Sequence, residues 1–139
     1  PYGYCADISR TYVCGNIFNT NQKKLYSMAV EQINHNSRLI KRGMTFKEFQ
    51  KKSWVLPKEY YGNRYSVMVH GIGLCDEWPA IRYPSDGGEQ SGIFEKNMTI
   101  TVESYIGKVG GKEGVKLEQQ YVVGENNLEL MSHHPLEDI

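Results

Sequence analysis

Residues 98–123 read MTITVESYIGKVGGKEGVKLEQQYVV, and this stretch decides the fold. Its first part, 98–106, alternates residue by residue, and its last part, 115–123, is rich in β-branched and aromatic residues. The pair Gly110-Gly111 between them is a favoured two-residue hairpin turn. The stretch therefore predicts two antiparallel strands joined by a tight turn.

Two glutamates are expected to face each other across this hairpin. Glu103 and Glu118 are symmetric in number about Gly110-Gly111, which places them in direct opposition. Directly opposed side chains have Cβ atoms about 5 Å apart, and like charges at that distance are destabilising. A cation bridging the two carboxylates would remove the conflict, which suggests a metal. The alternative is a register shifted by one or two residues, with both glutamates in solvent.

Composition narrows the class of protein. The 139 residues are about one domain long, and we expect residues 1–139 to be a single-domain fragment of a longer chain. The 16 basic and 16 acidic side chains balance, so neither a nucleic acid nor a membrane is the expected partner. A small molecule is expected instead. Cys5, Cys14 and Cys75 are expected to be free, buried and inert thiols in a reducing cytosol, which predicts a cytoplasmic protein.

The rest of the chain predicts an α+β fold. The expected elements are a strand at Ala6–Cys14, a helix at Asn21–Arg42 that Gly43 ends, a second helix at Thr45–Trp54 and a strand at Tyr65–Val69. The second helix opens with the capping-box pattern Thr45 to Glu48 and should bury Phe46 and Phe49.

Asp7 and His70 are the residues that could join the two glutamates. Both lie at or near predicted strand ends, where a side chain can point into a cleft. An imidazole with three carboxylates is a hard nitrogen and oxygen set, suited to Mn, Fe, Co or Zn. Carboxylates can also bridge two ions, which permits a dinuclear centre. Each residue alone is more often structural, so the prediction rests on all four together.

Four strings in order resemble the metal-site motifs of the creatinase/aminopeptidase P superfamily. They are Ala6-Asp7-Ile8-Ser9-Arg10-Thr11, His70-Gly71-Ile72-Gly73, Thr101-Val102-Glu103 and Gly114-Val115-Lys116-Leu117-Glu118. The resemblance implies the C-terminal part of a pita-bread fold, a curved and mostly antiparallel sheet with covering helices. It also implies that Asp7, His70, Glu103 and Glu118 are metal ligands of the catalytic domain, and that a further Asp ligand lies upstream of Pro1.

Departures from the peptidase pattern point to other chemistry. A second histidine usual in the peptidases is replaced within Leu74-Cys75-Asp76-Glu77-Trp78-Pro79. This variant resembles a lyase branch of the superfamily that cleaves dimethylsulfoniopropionate to dimethyl sulfide and acrylate. The resemblance implies that Asp76 is the general base. Tyr65 would orient or polarise the substrate carboxylate, and Trp78 would offer a π-face to the sulfonium.

Three functions therefore remain open: the metal-dependent lyase, an Xaa-Pro-type metallopeptidase with divergent motifs, and a non-catalytic relative. For the lyase we expect iron first among the possible metals, a small zwitterionic substrate and a homodimer formed by the full-length protein. The fragment alone is expected to be inactive.

Overall fold

An antiparallel sheet with two helices forms the fold, in a computed structural model that describes residues 2–15, 17–87 and 90–136. The helices are α1 (Thr20–Leu39) and α2 (Phe46–Lys52). The strands are β1 (Val67–Gly71), β2 (Ala80–Arg82), β3 (Thr99–Gly107), β4 (Gly114–Val123) and β5 (Leu128–Leu130). Short 3-10 turns occupy Lys58–Asn63 and Pro84–Asp86. The strand order across the sheet is β2-β1-β3-β4-β5, and every neighbouring pair is antiparallel.

The hairpin β3–β4 has the predicted register but a different turn. Glu103 pairs with Glu118, and the ladder continues to Gly107 opposite Gly114. The connection is therefore a six-residue loop, 108–113, instead of the predicted two-residue turn. Within it, the Gly111 N–H donates to the Lys108 carbonyl at 3.0 Å, and Gly110 has a φ of 72°. The register survives because a longer loop that is symmetric about the same centre keeps the same partners.

Helix α1 is shorter at its C-terminal end than predicted. It begins with a reciprocal cap, in which the Asn19 side chain accepts from the Gln22 N–H and the Gln22 side chain accepts from the Asn19 N–H, both at 2.9 Å. It ends at Leu39 instead of Arg42, because Ile40 has extended backbone with ψ 126° and a buried side chain. The side chain of Ile40 packs in the apolar core and so holds the chain between the two helices against the body of the protein.

Helix α2 anchors the loop that precedes β3. The Thr45 hydroxyl accepts from the Glu48 N–H at 3.0 Å, as a helix N-cap does, and the helix ends at Lys52, two residues before the predicted Trp54. Phe46 and Phe49 are buried, as predicted. Both rings pack edge-on against Phe94, with centroids 5.0 and 5.8 Å apart. This aromatic cluster joins α2 to the segment that precedes β3.

The two faces of the central hairpin have different neighbours. Ile100, Val102 and Ile106 alternate along β3 and belong to the apolar core that α1 covers. Ser104 lies on the same face, and its hydroxyl donates to Gln32 of α1 at 2.7 Å. Glu103 therefore points away from α1, to the opposite face of the sheet. The fold thus supports the acidic face with a packed apolar layer behind it.

The predicted strand at Ala6–Cys14 is wrong as a regular strand. Only Ser9 forms a backbone bridge, with Glu118, where the Glu118 N–H donates to the Ser9 carbonyl at 3.1 Å. Two residues later, the Thr11 hydroxyl donates to the Lys116 carbonyl and accepts from the Lys116 N–H, at 2.7 and 3.0 Å. A side chain thus makes the contacts that strand backbone would make, so the segment runs beside β4 without extending the ladder.

Strand β1 begins and ends two residues later than the predicted Tyr65–Val69. Because the strand continues to Gly71, His70 lies inside it, paired with Thr101 on one side and Ala80 on the other. A histidine in a central strand is held by backbone hydrogen bonds on both sides, so its direction is fixed more firmly than a strand-end position would allow.

The three cysteines are free thiols, but they are exposed. The expectation that Cys5, Cys14 and Cys75 are buried is therefore wrong for this chain. Cys5 and Cys14 lie at the two ends of residues 5–14, the edge segment, which contacts β4 through Ser9 and Thr11. Cys75 lies in the loop between β1 and β2. In the described ranges, neither helix has the length and apolar character needed to cross a membrane.

Candidate metal centre

Three neighbouring strands and the edge segment bring together the four predicted ligands. His70 on β1 pairs with Thr101, which shares a face with Glu103, and Glu103 pairs with Glu118. His70 Nε2 lies 3.0 Å from Glu103 Oε1 and 3.3 Å from Glu118 Oε1. Asp7 joins from the edge segment, and one ligand atom each from Asp7, His70 and Glu118 lies within 4.8 Å of the others. The separate sequence motifs thus converge on one point.

Backbone contacts place Asp7 at this point. The Asp7 N–H donates to the Gln120 side chain at 3.3 Å, and Ser9 bridges to Glu118 from two residues further on. Arg10 helps to hold this segment against β4, since its guanidinium donates to the Glu118 carbonyl at 2.6 Å and to the Pro135 carbonyl at 3.0 Å. The Asp7 side chain is half-buried, whereas the other three predicted ligands are buried. Asp7 therefore forms the open side of the cluster.

Two buried oxygens of this cluster have no hydrogen-bond donor within the described part of the chain. They are Glu103 Oε1 and Glu118 Oε1, both of which face His70. The imidazole approaches both oxygens without the direction of a hydrogen bond, so these oxygens have exchanged water for an ionic contact with His70 alone. A cation is the partner that two converging carboxylates and an imidazole nitrogen can share. The residues present therefore fit a divalent transition metal ion.

The charges of the cluster shift its acid–base equilibria. Burial disfavours the imidazolium of His70, but the neighbouring carboxylates of Glu103 and Glu118 outweigh that effect and raise the pKa of His70 to about 10. Burial, together with the negative charge of Glu118, raises the pKa of Asp7 to about 6. Burial also opposes ionisation of Glu118, but His70, Lys116 and the Ser9 hydroxyl lower its pKa.

Lys116 is a member of the site that the sequence analysis missed. Its ammonium donates to Glu103 Oε2 and lies 3.7 Å from Glu118 Oε2. The same group lies 4.4 Å from the centroid of the Tyr65 ring, in cation–π geometry. The sequence could have indicated Lys116 by its position two residues before Glu118, since that spacing places both side chains on one face of β4. Lys116 thus links the acidic cluster to Tyr65.

The loop between β1 and β2 carries the other predicted site residues. Asp76 and Trp78 are exposed, and Trp78 is 69% accessible. Within the described ranges, the Asp76 carboxylate takes part in no hydrogen bond or ion pair, so no direct contact joins it to the ligand cluster. Tyr65 is half-buried beside Lys116, and its hydroxyl donates to Glu77 at 2.9 Å. The structure thus brings Tyr65 to the cluster and leaves Asp76 on the neighbouring loop.

Gly71 lets this loop pack directly on β1. Its N–H donates to the Pro79 carbonyl at 2.8 Å. A Cβ on Gly71 would lie 2.0 Å from the Trp78 carbonyl oxygen, which no side chain can tolerate. Glycine is therefore required for the returning chain to lie against the strand that holds His70.

Residues 1–125 match the metallopeptidase family M24, and the chain belongs to this family. The fold is the C-terminal part of the pita-bread fold, as the sequence predicted. Enzymes of this family use divalent metals, in agreement with the donor set described above.

Two curated relatives are dimethylsulfoniopropionate lyases named DddP, from Roseovarius nubinhibens and Roseobacter denitrificans. Each is 34% identical over 98% of this chain, which covers 31% of the relative. A solved structure, the Xaa-Pro dipeptidase from Bacillus anthracis, has a TM-score of 0.80 and 29% identity, with 97% of this chain and 37% of that protein covered. The chain thus spans about a third of the length of these relatives, which are enzymes of the same family with different activities.

Proposed function

We propose that the complete protein is a metal-dependent carbon–sulfur lyase that splits dimethylsulfoniopropionate into dimethyl sulfide and acrylate. The observation that carries the proposal is the exposed carboxylate of Asp76, which has no hydrogen-bond or ion-pair partner among the described residues and lies six residues after His70. A carboxylate without a partner keeps its lone pairs available for a proton. The 34% identity to two such lyases supports the same activity.

The metal would be held by Asp7, His70, Glu103 and Glu118, and iron is the first candidate, followed by Mn, Zn and Co. Two ions are compatible with the bridging capacity of the carboxylates. When bound, the metal supplies Lewis acidity that stabilises negative charge on the substrate carboxylate.

Asp76 would perform the proton transfer. Its carboxylate accepts the proton from the carbon next to the substrate carboxylate, and the electron pair of that C–H bond forms the new C=C bond. The C–S bond breaks, and sulfur keeps its electron pair and leaves as neutral dimethyl sulfide. Acrylate remains, and the proton passes from Asp76 to solvent. The reaction is balanced without an oxidant or reductant.

Tyr65 and Trp78 would orient the substrate. The Tyr65 ring lies beside the ammonium of Lys116, a positive group that would attract the substrate carboxylate. The exposed ring of Trp78 offers a π-face to the sulfonium at the other end of the substrate. The substrate would thus lie between a positive and an aromatic contact.

Headspace detection of dimethyl sulfide tests the proposal. The complete protein, Asp76→Ala and the control Glu95→Gln, which alters an exposed acid outside the loop, are compared after metal loading. We expect sulfide from the parent and the control, and a loss of at least a hundredfold in Asp76→Ala, since general base catalysis contributes about 10²–10⁴-fold. Sulfide release that survives Asp76→Ala unchanged removes that role.

An Xaa-Pro-type peptidase is the second candidate, and the 0.80 TM-score to an Xaa-Pro dipeptidase favours it. Cleavage of an Xaa-Pro dipeptide by the metal-loaded parent, with no sulfide from the sulfonium substrate, would support this alternative. A non-catalytic relative would show no stoichiometric metal. The small zwitterionic substrate, the homodimer and the cytoplasmic location remain predictions.

A further inference from the structure

The tip of the β1–β2 loop is exposed and weakly attached. Its base is held by backbone hydrogen bonds, from Gly71 to Pro79 at 2.8 Å, from Ile72 to Thr99 at 3.1 Å and from Cys5 to Gly73 at 2.8 Å. Residues 74–78 beyond this base are all exposed. Such a segment has little buried surface to restrict it. Any side-chain contact from the tip to the body of the protein therefore has a large effect on where the tip lies.

Within the described ranges, one side-chain hydrogen bond joins this tip to the body. It runs from the Tyr65 hydroxyl to Glu77 Oε1, at 2.9 Å. Tyr65 is half-buried and packs against Lys116, which donates to Glu103. A continuous series of contacts therefore links Glu77 in the loop to a predicted metal ligand.

The backbone of Glu77 supports the importance of this contact. Its φ is 58°, in the left-handed region that residues with a Cβ rarely adopt. Such a conformation is retained only where the surroundings hold it, and functional loops are where such residues gather. Glu77 also lies between Asp76 and Trp78, so its backbone turn sets the direction of both neighbouring side chains.

We propose that Glu77 is a positioning residue that latches the loop to the metal-binding face through Tyr65 and so fixes Asp76 and Trp78 over the site. The effect of the latch on turnover rests on the proposed lyase function, but the latch itself does not. Glu77 touches no reacting atom in this scheme. The hydrogen bond between Glu77 and Tyr65 keeps the tip of the loop against the ring of Tyr65.

Three substitutions of Glu77 and one of Tyr65 separate the latch from other effects, all made in the complete metal-loaded protein. Glu77→Gln keeps an oxygen that accepts from Tyr65, Glu77→Ala removes it, and Glu77→Gly removes it while relieving the positive φ. Tyr65→Phe removes the donor from the other side. Glu129→Ala, which truncates an exposed acid on β5, is the control for loss of a surface charge.

The first measurement is the rate at which thermolysin cleaves before Leu74, which is 75% accessible. We expect Glu77→Ala and Tyr65→Phe to accelerate cleavage about fivefold to tenfold, the effect of losing one hydrogen bond. Glu77→Gln and Glu129→Ala should stay near the parent. Parent-like cleavage in both Glu77→Ala and Tyr65→Phe overturns the latch. Glu77→Gly should accelerate cleavage less than Glu77→Ala, because relief of the positive φ offsets part of the lost hydrogen bond.

The second measurement is steady-state release of dimethyl sulfide. A misplaced base lowers kcat more than it raises KM, so Glu77→Ala should lose about tenfold in kcat, and Glu77→Gln should recover most of it. An equal loss in Glu77→Gln contradicts positioning by a hydrogen bond. If the parent releases no sulfide, the lyase proposal fails, while the thermolysin rates still decide whether the latch exists.

Discussion

Gly71 is the position at which a single methyl group should separate the loop from the strand that holds His70. A Cβ there would lie 2.0 Å from the Trp78 oxygen, 2.7 Å from the Trp78 carbonyl carbon and 2.9 Å from Pro79 Cδ. Two of these three atoms are backbone, so they cannot move aside as a flexible side chain could. In Gly71→Ala, the returning chain must therefore move by about 1 Å, a shift of the size that misplaces reacting groups.

The expected cost of Gly71→Ala is about 3 kcal/mol in the free energy of unfolding. Overpacking a filled site costs about 1–3 kcal/mol, and loss of the 2.8 Å hydrogen bond from Gly71 to Pro79 adds about 1 kcal/mol. Because the same shift moves Asp76, turnover should fall about a hundredfold.

Urea unfolding of the complete protein, followed by turnover of the folded fraction, measures both effects. Gly62→Ala is the matched control, since its Cβ would meet the Val109 side chain at 2.8 Å and that side chain is 71% accessible and free to turn. The control should change stability by less than about 0.5 kcal/mol. A Gly71→Ala protein with the parent's unfolding midpoint and turnover would refute the steric argument.

Three further changes test the metal centre and the core. Glu118→Gln should weaken metal binding by at least about a hundredfold in a chelator competition, because loss of an outer partner alone costs about 10–100-fold, whereas Glu129→Gln, at an exposed acid on β5, should not; equal affinities would contradict ligation by Glu118. Metal binding must displace a proton from His70, whose pKa is raised to about 10, and below pH 6 also from Asp7, whose pKa is about 6. Affinity measured by calorimetry should therefore fall about tenfold per pH unit from pH 9 to 6 and more steeply below, and a flat profile would oppose this ligand set. Phe49→Ala should lower the free energy of unfolding by about 3–5 kcal/mol in urea, because its ring is fully buried; a loss below 1 kcal/mol would contradict its place in the core.

The register of the hairpin was predictable from the sequence, and its turn was not. The pairing of Glu103 with Glu118 depends only on the centre of symmetry of the loop, which Gly110-Gly111 marked correctly. The length of the loop depends on where the ladder stops, and it stops at Gly107 and Gly114. A sequence pattern shows which residues suit a strand, but not where the last cross-strand hydrogen bond is replaced by a turn.

The edge segment was mispredicted for a different reason. It was predicted as a strand, and Ser9 does bridge to β4. Thr11, however, uses its hydroxyl to contact the Lys116 backbone twice, at 2.7 and 3.0 Å. Competition between a side-chain hydroxyl and the backbone depends on tertiary distance, which the spacing of residues along the chain does not encode.

The conflict between two opposed glutamates predicted a cation, and the structure shows that the chain itself supplies one. The ammonium of Lys116 donates to Glu103 Oε2 and lies 3.7 Å from Glu118 Oε2. Had this contact completed the cluster, the glutamates would need no metal. Lys116 reaches only one oxygen of each carboxylate, however, and the two Oε1 atoms that face His70 have no donor among the described residues. Lys116 reduces the repulsion between the two glutamates but leaves one oxygen of each carboxylate without a donor. Lys116 and a metal ion are therefore complementary partners of this site and not alternatives.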